Sequence, residues 1–254
     1  MKSLTRILWL TTILMMTGIV WMHGKQLRNL QKPDISYLPV DAFTQVETEI
    51  LMSSEEGMNT VGAVGSGIVF YTDYENTYVL TANHVCIPPF YERIMEVYDD
   101  EIVIVNSIVD YSGETRTANV IYNDENKDLC ILKISGVWTS PVRISNQEPE
   151  IGDRAYSLAA PGGFFSPGMV PIFEGIYSGK INDFIDRDDI YTIPTQSGSS
   201  GAAVLNEEFE IIGLIHSAVY GNDNIGIAAT HEEVSEFIYG WEVLFGFRVH
   251  QDSM

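Results

Sequence analysis

The 254-residue sequence predicts an all-β protein built from two six-stranded antiparallel barrels, with one helix near the end of the chain and one apolar helix near its beginning. Two observations support the barrels. From about residue 43 onward, short apolar runs are separated by turns rich in Gly, Pro, Asn and Asp, as in barrels and sandwiches. About twelve such runs fall within roughly 190 residues, which suits two six-stranded barrels better than one sandwich.

The first element is the apolar segment 7–22, ILWLTTILMMTGIVWM, which follows Lys2 and Arg6. Its length and composition are typical of a signal h-region or a short membrane span, and we assign residues 1–23 to a signal-anchor helix. No small-x-small cleavage site follows the segment, which favours an uncleaved anchor over secretion after signal cleavage. Residues 24–42 are polar, contain two prolines and are expected to form a linker.

The expected strands form one domain, residues 43–247, and fall into two groups. The first group, which includes the hairpin around TDYEN, places barrel one at about 43–136, and the second places barrel two at about 140–230. Helical periodicity returns in THEEVSEFIYGWEVLF, where Thr230 and Glu233 have the spacing of a capping box. A C-terminal helix is therefore predicted at about 231–245.

Composition and charge exclude several functions. The net charge is −21, but residues 1–33 carry five basic residues and no acid. The remaining nine basic and 35 acidic residues give the rest of the chain a charge of −26. Such a surface repels phosphate backbones, so nucleic acid is not an expected partner. The two cysteines and five histidines show no metal-ligand spacing, and we expect neither a metal nor a cofactor.

Three segments carry residues from which a nucleophilic site can be built. His84 ends the run YVLTANH, Asp128 opens DLCILKI, and Ser200 lies in GSSGAAV. A serine hydroxyl is a weak nucleophile unless a base lies within hydrogen-bond reach and a carboxylate orients that base. The order His, Asp, Ser, and Ala202 at the last position of the serine motif, argue against the nucleophile elbow of an α/β-hydrolase.

In these motifs the chain resembles the chymotrypsin/trypsin-like serine peptidases, and is most similar to their HtrA/Deg-type branch. The resemblance covers about residues 46–237 and rests on six motifs in order: GSGIVF, LTANHV, DLCILKI, EIGDRAYSLAAPGG, FEGIYSGKI and GSSGAAV. It implies a serine endopeptidase acting on polypeptides. In that reading His84 is the general base, Asp128 orients it and Ser200 is the nucleophile. The N–H groups of Gly198 and Ser200 would form the oxyanion hole.

The resemblance also places the pocket for the residue before the scissile bond. Pro194 and Thr195 align near its base, where a trypsin has an aspartate, and Ile215 and Ile227 lie nearby. A small or medium apolar residue is therefore expected there, rather than Arg or Lys. His216 is a further pocket candidate, but a one-residue shift along a strand turns a side chain to the other face. We expect His216 to point toward the orienting aspartate or the surface.

Two alternatives stay open for the cysteines, because Cys86 follows His84 by two residues and Cys130 follows Asp128 by two. The pair forms a disulfide that holds base and orienter together, or both are buried thiols that act as small apolar residues.

The expected setting is a membrane-anchored protease domain outside the cytoplasm, either periplasmic or extracellular. HtrA-type proteins usually carry a PDZ module after the protease domain, and this chain leaves no room for one, which favours a stand-alone protease. The alternative function is a catalytically inert module of the same fold that binds protein segments. The sequence does not specify the oligomeric state.

Overall fold

In the computed structural model, residues 33–54, 57–89, 102–182 and 187–247 are described, and they divide at residue 38 into two compact units. The described part of the first unit holds one 3-10 turn, Ile35–Tyr37, capped by Asp34, whose carboxylate accepts from the Ser36 N–H at 3.1 Å. The predicted signal-anchor helix lies outside the described residues. Among the helices in the described ranges, none is long and apolar enough to cross a membrane.

The described strands of the second unit close into two antiparallel six-stranded barrels, which confirms the predicted fold class. Barrel one has the strand order β1-β2-β3-β6-β5-β4 and barrel two the order β10-β11-β12-β9-β8-β7. The strands of barrel one are β1 (Phe43–Ser54), β2 (Gly57–Thr72), β3 (Asn76–Ala82), β4 (Ile102–Asp110), β5 (Thr115–Asp124) and β6 (Leu129–Ser135). Those of barrel two are β7 (Arg154–Leu158), β8 (Ile172–Asn182), β9 (Arg187–Tyr191), β10 (Ala203–Leu205), β11 (Ile211–Val219) and β12 (Asn222–Ala229).

The alternation in β1 shows how the sequence specifies a barrel wall. Val46, Thr48 and Ile50 are fully buried and face the interior, whereas Glu47 and Glu49 between them face outward. Successive side chains of a strand point to opposite faces, so this pattern leaves one apolar face and one charged face. β1 pairs with β2 along its whole length and with β4 over most of it, with no register shift on either side.

Short helices connect the strands, and a longer one closes the fold. The helix α1 (Asn83–Cys86) follows β3, and 3-10 turns lie at Val40–Ala42 and Pro161–Gly163. The helix α2 (His231–Phe245) begins at the predicted capping box, in which the Thr230 hydroxyl and the Glu233 carboxylate each accept the other's backbone N–H.

The helix α2 contributes to the core of barrel one although it follows barrel two in the chain. Its Trp241 is fully buried, and its ring centroid lies 5.2 to 5.5 Å from the rings of Phe70, Tyr71 and Tyr78. Rings at these separations and tilts pack with the favourable edge-to-face geometry of aromatic pairs. The helix is therefore an integral part of the barrel-one core.

Candidate active site

The ends of two paired strands bring His84 and Asp128 together. Ala82 at the end of β3 pairs with Leu129 at the start of β6, so the residues just beyond them are neighbours. His84 Nδ1 lies 2.6 Å from Asp128 Oδ2, and the backbone N–H of His84 donates to Asp128 Oδ1 at 2.8 Å. Both carboxylate oxygens thus bond to the same residue. In the tautomer whose Nδ1–H donates to this carboxylate, Nε2 is the nitrogen left to act as a base.

The backbone of Asp128 supports this geometry. Its φ is +51°, a left-handed conformation that few residues other than glycine adopt, although Asp and Asn tolerate it. Its carbonyl accepts a hydrogen bond from the Asn83 N–H at 3.0 Å, so main chain and side chain both bond to α1. Residues held in sparsely populated regions of φ/ψ space cluster at functional sites.

A disulfide between Cys86 and Cys130 fastens the same two elements two residues further on. Their Cα atoms are 6.6 Å apart. One partner is the last residue of α1 and the other is the second residue of β6, so the covalent link restrains the separation of the segments that carry His84 and Asp128.

Ser200 lies in the loop before β10, against barrel one. The Ser66 N–H in β2 donates to the Ser200 carbonyl at 2.7 Å. A Cβ atom placed on Gly65 would lie 2.6 Å from Val85 Cγ1 and 3.0 Å from the Ser200 carbonyl oxygen. Because Val85 directly follows His84, the serine loop and the histidine segment contact the same point of β2. The Ser200 hydroxyl donates to the backbone carbonyl of His216 at 3.3 Å.

Gly198, the first of the two residues predicted to form the oxyanion hole, has a backbone conformation that favours glycine. Its φ is +91°, and a Cβ there would lie 2.4 Å from the Ala160 carbonyl oxygen, so only glycine fits. The preceding Ser197 carbonyl accepts from the Gly162 N–H at 2.5 Å. In a trans peptide the C=O and the next N–H point in opposite directions, so this bond fixes the direction of the Gly198 N–H.

Sequence reasoning missed Ser66, which connects the serine loop to both barrels. Its buried hydroxyl donates to the Gly198 carbonyl at 2.8 Å and accepts from the Ala160 N–H at 2.9 Å. Its own carbonyl accepts from the Thr81 hydroxyl at 2.7 Å. The available signal was a serine between two glycines in an apolar strand, since strand glycines often mark a close backbone approach.

The structure brings together two of the predicted pocket residues, Thr195 and Ile215. A Cβ on Gly226 in β12 would lie 2.6 Å from Thr195 Oγ1 and 3.0 Å from Ile215 Cδ1. The Thr195 hydroxyl donates to the Ile193 carbonyl at 3.0 Å, which leaves its methyl group for contacts. Gly226 is a buried neighbour of these two residues that the sequence analysis did not name.

Two more of the predicted pocket residues, Ile227 and Pro194, take different positions. Ile227 follows Gly226 along β12, and strand alternation turns its side chain to the opposite face from Thr195. Pro194 is half-buried and precedes Thr195 in the loop.

The His216 side chain pairs with an acidic residue on another strand of barrel two, a partner that the sequence analysis did not predict. It lies at a β-bulge between Ile215 and Ser217. His216 Nε2 is 3.0 Å from Asp188 Oδ1 in β9. Since an unpaired bulge residue re-aims its side chain, strand parity alone could not have given this direction.

The neighbouring Asp189 is a buried carboxylic acid of the barrel-two core. Burial raises the pKa of Asp189, while a hydrogen bond from the Tyr177 hydroxyl at 2.9 Å opposes that shift. Its Oδ2 is buried without a partner among the described groups. Within the described ranges, no three His, Cys, Asp or Glu side chains converge as metal ligands would.

Two closed barrels, with a hydrogen-bonded His–Asp pair on one and a glycine-flanked serine loop from the other, define the class of double-barrel peptidase folds. The chain belongs to the trypsin-like peptidase domain family, whose model matches residues 65–214. This membership confirms the resemblance read from the motifs.

The chain is similar to the serine protease Do-like HtrB of Bacillus subtilis (strain 168), with 26% identity over 187 residues. The match covers 68% of this chain and 37% of that relative, so the chain spans little more than a third of the relative's length. Among solved structures, an HtrA-type protease AlgW with a decapeptide has a TM-score of 0.65 at 16% identity, covering 84% of this chain and 66% of that chain. The serine endoprotease from Yersinia pestis has a TM-score of 0.58 at 20% identity, with 80% and 63% covered. The structural likenesses show the shared fold.

Proposed function

We propose that this protein is a serine endopeptidase that cleaves polypeptides through His84, Asp128 and Ser200. The observation that supports it best is the pairing of both Asp128 carboxylate oxygens with His84, at 2.6 and 2.8 Å, beside the serine loop. A base held in one tautomer by a carboxylate is what activates a serine hydroxyl.

The reaction begins when the Ser200 hydroxyl leaves the His216 carbonyl and turns toward His84 Nε2. The motion proposed for this turn is a rotation of the hydroxyl about the serine Cα–Cβ bond between staggered rotamers. The Ser200 oxygen then attacks the substrate carbonyl as Nε2 takes its proton. The imidazolium that forms is stabilised by Asp128. It next protonates the leaving amine, and water releases the acyl group by the same steps with the proton transfers repeated.

The oxyanion of the tetrahedral intermediate is assigned to the N–H groups of Gly198 and Ser200. Removing one such donor typically costs about 3 kcal/mol of transition-state stabilisation. The bonds of Ser66 and Gly162 to the two peptide groups flanking Gly198 support this assignment, because they hold its N–H in place before substrate arrives.

The pocket for the residue before the scissile bond is assigned to the surroundings of Thr195, Ile215 and Gly226, with Pro194 next to Thr195 in the chain. None of these three side chains carries a charge that could pair with Arg or Lys. A small or medium apolar residue is therefore the proposed preference, and His216, paired with Asp188, has no part in it.

The proposed setting is extracytoplasmic, with the chain held at a membrane by the apolar segment 7–22. The disulfide between Cys86 and Cys130 supports an oxidising compartment, because cytosolic proteins rarely keep such bonds. Secretion after signal cleavage is the alternative.

Labelling with a fluorophosphonate probe tests the proposal. The protein should be labelled on Ser200. Ser200→Ala should abolish both labelling and cleavage of a peptide library, whereas Ser197→Ala, an exposed serine in the same loop, should retain them. Labelling that persists in Ser200→Ala contradicts the assignment. A folded wild-type protein that neither reacts with the probe nor cleaves peptides supports the second candidate function, an inert module that binds protein segments. The observation that favours this candidate is the hydrogen bond from the Ser200 hydroxyl to the His216 carbonyl.

A further inference from the structure

A turn of barrel one holds the tip of a loop of barrel two. The turn, residues 111–114, connects β4 to β5, and the loop, residues 159–171, connects β7 to β8. The Tyr111 hydroxyl donates to the Gly168 carbonyl at 2.6 Å, and the Gly168 N–H donates to the Tyr111 carbonyl at 2.8 Å. A Cβ on Gly113 would lie 2.5 Å from Pro167 Cγ, so the turn and the loop are also in direct contact. These contacts between the two barrels are called the clasp.

The barrel-one side of the clasp is a preorganised turn. Asp110, the last residue of β4, is buried. Its Oδ1 accepts from the N–H of Ser112 at 2.9 Å, the hydroxyl of Ser112 at 2.6 Å and the N–H of Glu114 at 3.0 Å, and its Oδ2 bonds to Arg116 in β5. An aspartate that bonds to the backbone of its own turn fixes the conformation of that turn. The turn therefore presents Tyr111 to the loop from a rigid support.

The sequence of the loop does not by itself fix where the loop lies. The stretch 161–169, PGGFFSPGM, contains three glycines with φ of +61°, +74° and +78°: Gly162, Gly163 and Gly168. Glycine loses more conformational freedom on ordering than any other residue. A backbone bond within the loop, such as that from the Met169 N–H to the Ser166 carbonyl at 2.8 Å, shapes only a local turn. Contacts with barrel one therefore decide the position of the loop, and besides the clasp they include the Phe165 ring, 5.5 Å from the ring of Phe43.

The first residues of the same loop bear on the predicted oxyanion hole. The Gly162 N–H donates to the Ser197 carbonyl at 2.5 Å, a bond that fixes the direction of the Gly198 N–H. Gly162 and Gly168 are six residues apart. The tip that the clasp holds and the segment that bonds to the serine loop are thus two parts of one short loop, and a displacement of the first reaches the second.

We propose that Tyr111 is a positioning residue for peptide cleavage, which acts through the loop on the Gly198 N–H. With the clasp closed, the loop keeps the Gly162 N–H on the Ser197 carbonyl and holds the oxyanion donor in place before substrate arrives. The inference rests on the proposed endopeptidase function and on the oxyanion hole assigned there.

A positioning role of this kind has a kinetic signature. The oxyanion develops only on the way to the transition state, so a donor that is held less well lowers kcat and leaves KM nearly unchanged. The Tyr111 hydroxyl makes one hydrogen bond to the loop, and the net contribution of one such bond corresponds to a change of about two- to tenfold in an equilibrium. Effects of that size are expected from the hydroxyl alone.

The first test measures fluorophosphonate labelling and peptide cleavage by the full chain. Tyr111→Phe removes the hydroxyl and keeps the ring, and should lower the labelling rate and kcat about two- to tenfold while KM stays within about twofold. The control Tyr78→Phe removes another tyrosine hydroxyl of barrel one, which donates to Asp73 at 2.8 Å, and should keep the wild-type rates.

A second pair of variants opens the clasp from the turn. Gly113→Ala puts a methyl group 2.5 Å from Pro167 Cγ at a φ of +89°, and should lower the labelling rate at least about tenfold. The control Gly136→Ala has similar backbone strain in barrel one, at a φ of +95°, but its Cβ would meet no described atom within 4 Å. It should label at the wild-type rate.

Hydrogen exchange of the loop separates the possible failures, because it requires no catalysis. The segment 161–169 should exchange faster in Tyr111→Phe than in wild type, and at the wild-type rate in Tyr78→Phe. A wild-type labelling rate in Tyr111→Phe, whatever the exchange, overturns the inference and leaves the peptidase function intact. Equal slowing of labelling in Tyr78→Phe does the same, because the effect is then one of general stability. A folded wild-type protein that is neither labelled nor cleaves peptides overturns the proposed function, and the inference falls with it.

Discussion

Replacing Ser66 by alanine is expected to slow acylation far more than it weakens substrate binding. The substitution leaves the buried Gly198 carbonyl and the buried Ala160 N–H without their shared partner. Each unsatisfied buried group costs about 1–3 kcal/mol, so for the two groups together we expect the unfolding free energy to fall by about 2–6 kcal/mol. Freeing the peptide groups around Gly198 should forfeit part of one oxyanion donor, whose full loss is worth about 10²- to 10³-fold. The second-order rate of fluorophosphonate labelling should therefore fall about 10- to 100-fold.

The Thr81→Val variant is the matched control for Ser66→Ala. The Thr81 hydroxyl is also buried and bonds to the Ser66 carbonyl at 2.7 Å, but it does not touch Gly198. Urea unfolding should show a loss of stability in both variants, smaller in Thr81→Val because only one buried group loses its partner, whereas the labelling rate of Thr81→Val should stay within about threefold of wild type. With a cleaved peptide, Ser66→Ala should lower kcat and leave KM nearly unchanged. A folded Ser66→Ala protein that reacts at the wild-type rate would refute the positioning role.

Three further predictions concern the same region and the core of barrel two. Gly198→Ala puts a methyl group 2.4 Å from the Ala160 carbonyl oxygen at a φ of +91°, and should therefore reduce the rate of fluorophosphonate labelling at least about 100-fold while the protein still unfolds cooperatively. A labelling rate above a tenth of the wild-type rate contradicts this prediction. Replacing both Cys86 and Cys130 by alanine removes a disulfide that closes a loop of 44 residues, and the entropy of loop closure predicts that the unfolding free energy falls by up to about 4 kcal/mol. An unchanged urea midpoint relative to oxidised wild type would contradict this loss. Burial raises the pKa of Asp189, so ionising this carboxyl destabilises the fold, and wild type should lose stability relative to Asp189→Asn as pH rises above about 4. A difference in unfolding free energy between the two proteins that stays constant from pH 4 to 8 contradicts this prediction.

The fold class could be predicted because its determinants are local. Alternating residues such as Val46 and Glu47 report a half-buried strand, and the Thr230–Glu233 box reports a helix start. The family motifs supplied the expected roles of His84, Asp128 and Ser200.

Features that depend on strand registers and bulges could not be predicted. The partner of His216 is Asp188, on a strand beyond β12, and a bulge directs the side chain there. Ser66 reads as one more residue of a Gly-rich strand until the serine loop packs on it. The extent to which β3 pairs with β2, limited to the last residues of β2, likewise depends on the strand register.

The placement of Trp241 has a consequence for the order in which the molecule is made. The aromatic core of barrel one includes a residue that is synthesised about a hundred residues after β6 ends. During synthesis or export the first barrel therefore waits with an incomplete core, and the same helix that completes it emerges only after the loop carrying Ser200. Because chains emerge N-terminus first at about 5–20 residues per second, barrel one stays unfinished for several seconds. A nascent chain would therefore complete the core of the barrel that carries the His84–Asp128 pair only after Ser200, the proposed nucleophile, has been made.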